Sequence, residues 1–522
     1  MNKSCIYRVF SKLFFGVGCM LIVSCSEMFR DLNADETQLT PDLMNGDNYK
    51  LGAFFPQMQE SVNPVQENDY QMCNSLIGDV YGRYMSITND GWKNNFATFN
   101  APNYWISYPF STTFTKIYGP WILIKKETKG QGAYFAWAQI LRVAAFHRIT
   151  DMYGPIPYSK AGRGAVSVEY DSQEDVYKAM FADLTDAINT LTEYVNKNRG
   201  TNPLAAYDEV YGGDFVKWIK FANSLKLRMA MRIVYANEVL AKRMVIEAII
   251  HPIGVIKKNS DNAFIAFPRN PINVMWDAYT DTRVCADIVS YMEGYKDPRM
   301  EKYFQLSEIN GNKGYFGLRC GISISSKAWA LKYSAPVANP TDKLLWMNAS
   351  EVAFLLAEGA LRGWNVGETA EQLYKEGIKL SFEQYGLISA EAYLANDTFR
   401  PADYVDPQGL YSEPSQSSIT IKWVSEAPFE ENLERIITQK WIAIWPLGLE
   451  AWSEQRRTGY PRFMPVKLNS SGDPTLTTKL ASRIPFPPDE VENNRINYTT
   501  AVLLLNGSDN YSTRLWWDKK VK

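Results

Sequence analysis

Apolar residues recur at helical spacing over most of this chain, and this period limits the folds open to it more than any other feature. In each stretch the apolar positions follow i, i+3, i+4 and i+7, which places them on one face of an α-helix. The clearest stretches cover residues 134–145, 177–195 and 215–229, and further helices are predicted at 348–363, 369–385 and 430–458. Between them, residues 260–345, 396–429 and 463–522 are rich in Pro, Gly, Asn and Ser, which predicts long loops with short hairpins.

Small residues on the contact faces of these helices predict that they pack in pairs. Stacked helical hairpins bury a shared apolar face between neighbours, as in TPR proteins. The strict TPR consensus is absent, so we expect a mainly α fold: a TPR-like paired-helix scaffold with long loops and a few short β-hairpins. The predicted helix starts are Ser172, Asp214, Asn348 and Thr369, and Pro446 should kink the last long helix.

The first two dozen residues have the composition of an export signal. They contain three basic residues, no acidic residue and an 11-residue apolar run, 13–23, which is shorter than the roughly 20 residues of a membrane-spanning helix. Ile22-Val23-Ser24-Cys25 resembles the bacterial lipobox, whose cysteine is diacylated and becomes the first mature residue; a plain secretory signal is the alternative. We therefore predict a lipoprotein signal peptide over 1–24, lipidation of Cys25 with a polar tether over 25–45, and a single domain over 46–522.

Charge and motif content exclude several classes of function. The 55 basic residues nearly balance the 57 acidic ones, so the chain lacks the positive field that nucleic-acid binding needs. With two histidines, His147 and His251, a cluster of histidine ligands is excluded, and Walker A, HExxH and G-x-S-x-G motifs are absent. We predict no enzyme activity, no cofactor and no metal site. A carboxylate pair of the glycoside hydrolase type stays open, because no single acidic residue stands out.

Cysteine count limits the number of disulfides. Beyond Cys25, the predicted mature chain contains Cys73, Cys285 and Cys320. An odd number allows at most one internal disulfide, and the spacing does not indicate which two would pair.

Four regions between residues 147 and 518, the last of them the tail, carry strings that follow one another in a characteristic order. Residues 147–159 read HRITDMYGPIPYS, residues 348–360 read NASEVAFLLAEGA, residues 439–461 read QKWIAIWPLGLEAWSEQRRTGYP, and the tail holds RIPFP at 483–487 and LWWD at 515–518. These strings resemble, in family order, the motifs of the SusD/RagB family and of its SusD-like branch. The lipobox is also typical of that branch.

The resemblance implies an outer-membrane lipoprotein, facing the cell exterior, that captures a nutrient, typically a glycan. It further implies delivery to a SusC-like TonB-dependent transporter, with no catalysis. Within the matching strings, we expect Glu358 and Arg457 to hold helices together rather than to touch ligand. Two alternatives remain: a glycoside hydrolase with an unrecognised carboxylate pair, and a peptide-binding or purely structural envelope lipoprotein.

Aromatic residues make up 14% of the chain, and a sugar-binding site would use some of them. Flat aromatic rings stack on the C–H faces of pyranose rings, while amides and charged groups bond to the hydroxyls. Segments 91–105 and 270–283 combine both residue types in predicted loops. The predicted ligand-binding residues are Trp92, Asn94, Asn95, Tyr104, Trp105, Asn273, Trp276, Tyr279 and Arg283. The alternative for the three tryptophans is that they fasten these loops to the core.

Overall fold

A computed structural model describes residues 49–165 and 167–521 of the chain. The chain divides into two units, the first ending at Ala53 and the second beginning at Phe54. Of the first unit the structure describes helix α1, Tyr49–Gly52. The predicted signal peptide, Cys25 and nearly all of the tether lie outside the described residues, and the single domain over 46–522 stays a prediction.

Helices dominate the second unit, as the apolar period predicts. In its first half the helices are α2 (Phe55–Val62), α3 (Glu67–Tyr70), α4 (Asn103–Glu127), α5 (Gly132–Tyr153), α6 (Gln173–Lys197), α7 (Phe215–Arg232) and α8 (Glu238–Ile250). In its second half they are α9 (Pro271–Asn273), α10 (Ala286–Gly294), α11 (Met300–Tyr303), α12 (Lys327–Ala330), α13 (Ala349–Leu361), α14 (Ala370–Gln384), α15 (Glu391–Leu394), α16 (Phe429–Ala443), α17 (Gly448–Thr458), α18 (Pro488–Asn493) and α19 (Arg495–Leu505). Two π-helical segments occur at Gln71–Asp79 and Val274–Ala278.

Consecutive helices pack side by side, which confirms the mainly α, paired-helix prediction. Helix α4 packs on α5, α5 on α6, α6 on α7, α7 on α8, and α13 on α14. Large rings fill the contact faces: Trp137 of α5 and Trp218 of α7 are fully buried, with ring centroids 5.6 Å apart. Burial of such side chains stabilises the stack by roughly 1.5–3 kcal/mol each.

The predicted helix starts are confirmed in their hydrogen bonds. The side chains of Ser172, Asp214 and Asn348 each accept a bond from the backbone N–H three residues on, and Thr369 forms a full capping box with Gln372. Each such cap contributes about 1 kcal/mol.

Two boundaries near the C-terminus differ from the prediction. Residues 430–458 form two helices rather than one kinked helix, because Pro446 has no N–H to donate and its ring obstructs the preceding turn. Residues 463–522, predicted as loops with hairpins, contain α18 and α19. Pro488 at the first position of α18 supplies a backbone angle suited to starting a helix.

The short strands form three antiparallel pairs among the described residues. Strand β1 (Met85–Ile87) pairs with β3 (Thr282–Val284), β2 (Ala263–Ile265) with β6 (Leu344–Met347), and β4 (Ser307–Ile309) with β5 (Asn312–Gly314). The pair β4–β5 is a local hairpin, as predicted. The other two join segments that are distant in sequence, and the β1–β3 pair positions the candidate site.

Buried ion pairs join the helices that carry the family strings. Arg457 of α17 donates from Nη1 and Nη2 to the Glu358 carboxylate of α13 at 2.7 and 2.6 Å, and both side chains are buried. His147 is buried with its Nε2 at 3.3 Å from the Asp151 carboxylate. Burial lowers its pKa to about 4, so this histidine is neutral in the folded protein at neutral pH. Arg457 and Glu358 therefore join α17 to α13, as the sequence indicates, whereas His147 and Asp151 lie on the same helix.

Candidate functional site

The β1–β3 pair brings the two predicted aromatic segments together. Its register sets Ile87 opposite Thr282, and the Thr88 N–H continues the pairing by donating to the Asp281 carbonyl at 3.1 Å. Segment 91–105 follows β1 and segment 270–281 precedes β3. Because the two strands are antiparallel, both segments leave from the same end of the ribbon.

In the first segment, the tryptophans lie against each other at the surface. The rings of Trp92 and Trp105 meet edge to face at 5.2 Å, and Trp105 stacks on the buried Phe96 at 6.2 Å. Both tryptophans remain partly exposed. Phe96 therefore supports the Trp105 ring, while Trp92 has one described ring partner and is partly exposed.

Tyr104 and Trp105 lie in the first turn of α4 rather than in the predicted loop. Tyr104 is 64% exposed, and its ring meets Tyr108 of the same helix edge to face at 5.6 Å. The Tyr108 hydroxyl donates to the Asp69 carboxylate at 2.6 Å. Burial and this hydrogen bond raise the pKa of Tyr108, so its hydroxyl stays neutral.

In the second segment, Trp276 and Tyr279 share one π-helical turn and its cap. Trp276 is half-buried and its Nε1 donates to the Ala338 carbonyl at 3.2 Å. The Tyr279 hydroxyl donates to the Asn68 side-chain oxygen at 3.2 Å. The next residue, Asp69, accepts the hydrogen bond from Tyr108. Tyr279 and Tyr108 therefore bond to two consecutive residues of α3.

We group the exposed and partly exposed rings of the two segments and of the adjoining turn of α4 as an aromatic patch, which consists of Trp92, Tyr104, Trp105, Tyr108, Trp276 and Tyr279. Every ring of the patch is at least partly exposed. Exposed polar side chains lie among its contacts and neighbours in sequence: Asn68, Asn94, Arg269 and Asp277. Flat apolar faces beside amide and charged groups are the combination that recognises a sugar.

Three predicted amide and charged residues support the patch from within. Asn95 is buried, accepts from the Thr98 N–H and donates to the Trp92 carbonyl at 2.8 Å. Asn273 is buried and donates to the Ala338 carbonyl at 3.0 Å. Arg283 donates to the carbonyls of Leu331, Trp276 and Thr282, and burial lowers its pKa to about 10. Their hydrogen bonds give these three side chains a structural role.

Asn94 is placed differently from these three. Its side chain is exposed, and its side-chain oxygen accepts from the Asn100 amide at 3.1 Å. Of the predicted polar residues, it is the one whose position suits contact with a ligand.

Asp281 is the main residue that sequence reasoning missed. Its carboxylate accepts from Asn89 at 3.3 Å, from Gln71 at 3.1 Å and from the Lys327 ammonium at 2.8 Å. Lys327 also donates to the Tyr279 carbonyl at 2.8 Å. Asp281 thus fixes the two segments relative to α12. No local pattern marks it, because its partners are distant in sequence.

Two cavities offer alternative locations for a ligand. A cleft of about 390 Å³ is lined in part by Asn270, Ala338, Tyr385 and the buried Trp445. An internal cavity of about 60 Å³, lined in part by Asp79, holds a few water molecules at most. The cleft adjoins the second segment through Asn270 and Ala338, but it presents fewer exposed rings than the aromatic patch.

The described residues contain neither a membrane-spanning helix nor a cluster of metal ligands. No helix among residues 49–165 and 167–521 is long and apolar enough to cross a membrane. In the same ranges, no group of three or more His, Cys, Asp or Glu side chains is arranged to hold a metal ion.

Comparison with known proteins gives consistent matches over nearly the whole chain. Residues 31–518 match the family described as SusD-like, Susd and RagB outer membrane lipoprotein. A SusD homologue from Bacteroides uniformis is 42% identical with a TM-score of 0.86, covering 90% of this chain and 100% of its own. One from Bacteroides thetaiotaomicron is 40% identical with a TM-score of 0.85, covering 91% and 100%.

A third solved structure is that of a chitin-binding SusD homologue from Flavobacterium johnsoniae. It is 38% identical with a TM-score of 0.86, and the match covers 90% of this chain and 99% of that one. Among curated proteins, none matches this chain significantly.

Proposed function

Because this chain belongs to the SusD-like family of outer membrane lipoproteins, we propose that it binds a glycan on its aromatic patch and delivers it to a SusC-like TonB-dependent transporter. Lipid attached to Cys25 holds it in the outer membrane, with the patch facing the cell exterior. Two acyl chains provide stable anchoring where one is marginal.

The partly exposed rings that two distant segments carry from the same end of the β1–β3 ribbon support this proposal. Trp92 and Trp105 come from the segment after β1, and Trp276 and Tyr279 come from the segment before β3. Tryptophans that only fastened loops to the core would be buried, whereas Trp92, Trp105 and Trp276 are partly exposed. A patch of this kind accepts successive sugar rings with little strain, because its rings are held in place before the ligand arrives.

The hydrogen bonds and ion pairs of the acidic residues at the patch favour binding without turnover over catalysis. A glycoside hydrolase needs two carboxyl groups that flank the scissile bond, one of them as a general acid. Asp69 is tied to Tyr108 and Lys116, and Asp281 to Lys327, Gln71 and Asn89. Both carboxylates therefore serve the structure of the patch, and the exposed Asp277 is paired with Arg269 at 3.3 Å.

The chitin-binding relative makes oligomers of N-acetylglucosamine the first ligand to test. Their acetamido methyl groups add apolar surface for the tryptophan faces, and their amides can bond to exposed side chains such as Asn94 and Asn68.

A glycan panel with two readouts separates the proposed function from its rivals. Purified, detergent-solubilised protein is titrated with N-acetylglucosamine oligomers, α-glucan oligomers and peptides by calorimetry, and each mixture is then assayed for new reducing ends. We expect saturable binding of one glycan class with no new ends. New ends would identify a hydrolase, and binding confined to peptides or to nothing would reject the glycan assignment.

Delivery needs its own test. When the protein is purified from its native membrane in mild detergent, a TonB-dependent transporter should co-purify with it in stoichiometric amount. Its absence after chemical cross-linking of intact cells would reject the transporter partnership while leaving glycan binding in place.

A further inference from the structure

Cys285 and Cys320 lie next to each other in the core beneath the β1–β3 pair. Their sulfur atoms are 3.5 Å apart, and both side chains are buried. Cys285 directly follows β3 and caps α10, while Cys320 comes two residues after Leu318. The third internal cysteine, Cys73, lies in the π-helical segment Gln71–Asp79.

Backbone hydrogen bonds hold these two chain segments side by side. The Leu318 N–H donates to the Val284 carbonyl at 2.8 Å, and the Ala286 N–H donates to the Leu318 carbonyl at 2.9 Å. A disulfide has sulfurs about 2.05 Å apart. The thiols therefore need to approach by about 1.5 Å to form a disulfide.

The surroundings of the two thiols differ in a way that suits thiol–disulfide exchange. Burial raises the pKa of the Cys320 thiol, but the hydrogen bond with Cys285 and the charge of buried Arg83 outweigh it and lower that pKa below its usual value. The Cys285 thiol donates to the Asp287 carboxylate at 3.2 Å. Cys320 is thus the better nucleophile, because the thiolate is the reactive form.

Cys73 has the opposite character. Burial raises the pKa of its thiol to about 12, which keeps it protonated and unreactive. Among the three internal cysteines, the environment therefore distinguishes one pair from the remaining thiol.

We propose that Cys285 and Cys320 are joined by a disulfide in the mature protein. An outer membrane lipoprotein crosses the oxidising periplasm, where disulfides form and persist. The Cys320 thiolate attacks a disulfide oxidant and forms a mixed disulfide, releasing one oxidant thiol. The Cys285 sulfur, after losing its proton, then attacks the Cys320 sulfur and releases the second oxidant thiol. Two electrons and two protons pass from the cysteines to the oxidant, which leaves as a dithiol or two thiols.

This disulfide would fasten the base of the candidate site. Cys285 extends β3, and the Cys320 sulfur lies 3.2 Å from the carbonyl of Met85 in β1. The bond would close a loop over residues 286–319 and tie β3 to the segment that follows β5, next to Met85 of β1. It concerns the support of the aromatic patch and does not depend on the identity of the ligand.

Peptide mapping tests the disulfide directly, because trypsin separates the cysteines. Cleavage after Arg283 and Lys296 gives peptide 284–296, cleavage after Arg319 and Lys327 gives 320–327, and Cys73 falls in 51–83. The full chain, exported with its own leader, is quenched in acid, denatured, alkylated and digested without reductant. We expect peptides 284–296 and 320–327 as one cross-linked species that separates on reduction, with peptide 51–83 alkylated.

Recovery of 284–296 and 320–327 as alkylated single peptides before reduction would overturn the proposal, and so would a cross-link that includes 51–83. Thermal unfolding provides an independent measurement. Reductant should lower the melting temperature of the wild type and of Cys73→Ser by several degrees. It should have no effect on the double variant Cys285→Ser and Cys320→Ser, and a reductant-insensitive wild type would also contradict the proposal.

Discussion

Replacing Trp92 with alanine should weaken glycan binding while leaving the fold intact. The ring has one described ring partner, Trp105 at 5.2 Å, and lies partly exposed on a surface segment. Removal of a stacking face costs about 1–3 kcal/mol by analogy with bases stacked on aromatic side chains, or roughly 5- to 150-fold in affinity. Loss of the edge-to-face contact costs about 0.5–1.5 kcal/mol of stability.

A matched control separates loss of stacking from loss of stability. Trp423 is also half-buried, and its ring meets Tyr374 at 5.3 Å, so Trp423→Ala removes a similar contact outside the patch. Melting temperature and affinity for the best ligand of the panel are measured on the same samples. We expect similar small losses of stability in both variants, and a loss of affinity in Trp92→Ala alone, with Trp92→Phe between it and the wild type. Equal affinities in Trp92→Ala and Trp423→Ala would refute the reasoning.

Three further predictions follow from the polar groups of the structure. Asp281 does not contact ligand in this account, but Asp281→Ala should reduce glycan affinity several-fold, because the two segments lose the carboxylate that bonds to Asn89, Gln71 and Lys327. Unchanged affinity would show that the segments are held by other contacts. Arg457→Ala should lower the free energy of unfolding by about 3–5 kcal/mol. Lys178→Ala breaks an exposed pair and should leave the free energy of unfolding nearly unchanged. Similar losses for the two variants in urea titrations would contradict this. Burial raises the pKa of Asp79 to about 8, so its contribution to stability is present below about pH 4 and is lost as pH rises through 8. Asp79→Asn should therefore gain stability relative to the wild type between pH 5 and pH 8, by at most about 1.4 kcal/mol per pH unit, and a constant difference would reject the shift.

Helical periodicity in the sequence predicts most of the scaffold, because a long amphipathic stripe has few other structures open to it. The start of α4 is an instructive failure. Pro109 and Pro120 lie inside this helix, and a proline in a helix interior removes a hydrogen bond, which argues against a helix that begins at Asn103. The surrounding packing overrides this local preference, so Tyr104 and Trp105 lie on a helical turn rather than in a loop.

At the candidate site, features marked by the local sequence could be predicted, and features set by contacts between distant residues could not. Clustered aromatics mark Trp92, Trp105 and Trp276 from composition alone. Their supports, Asp281 and Tyr108, act through hydrogen bonds to residues far away in the chain or on another element. Such contacts depend on the pairing of β1 with β3, and three-residue strands carry too little pattern for that pairing to be predicted.

Crystallographic analysis of the protein with the best glycan of the panel tests the central claim most directly. We predict a sugar ring stacked within about 4 Å of the aromatic patch, on Trp92 or Tyr104, with hydroxyl or acetamido groups bonded to Asn94 or Asn68. A glycan bound instead in the 390 Å³ cleft beside Tyr385, with the patch empty, would contradict the account.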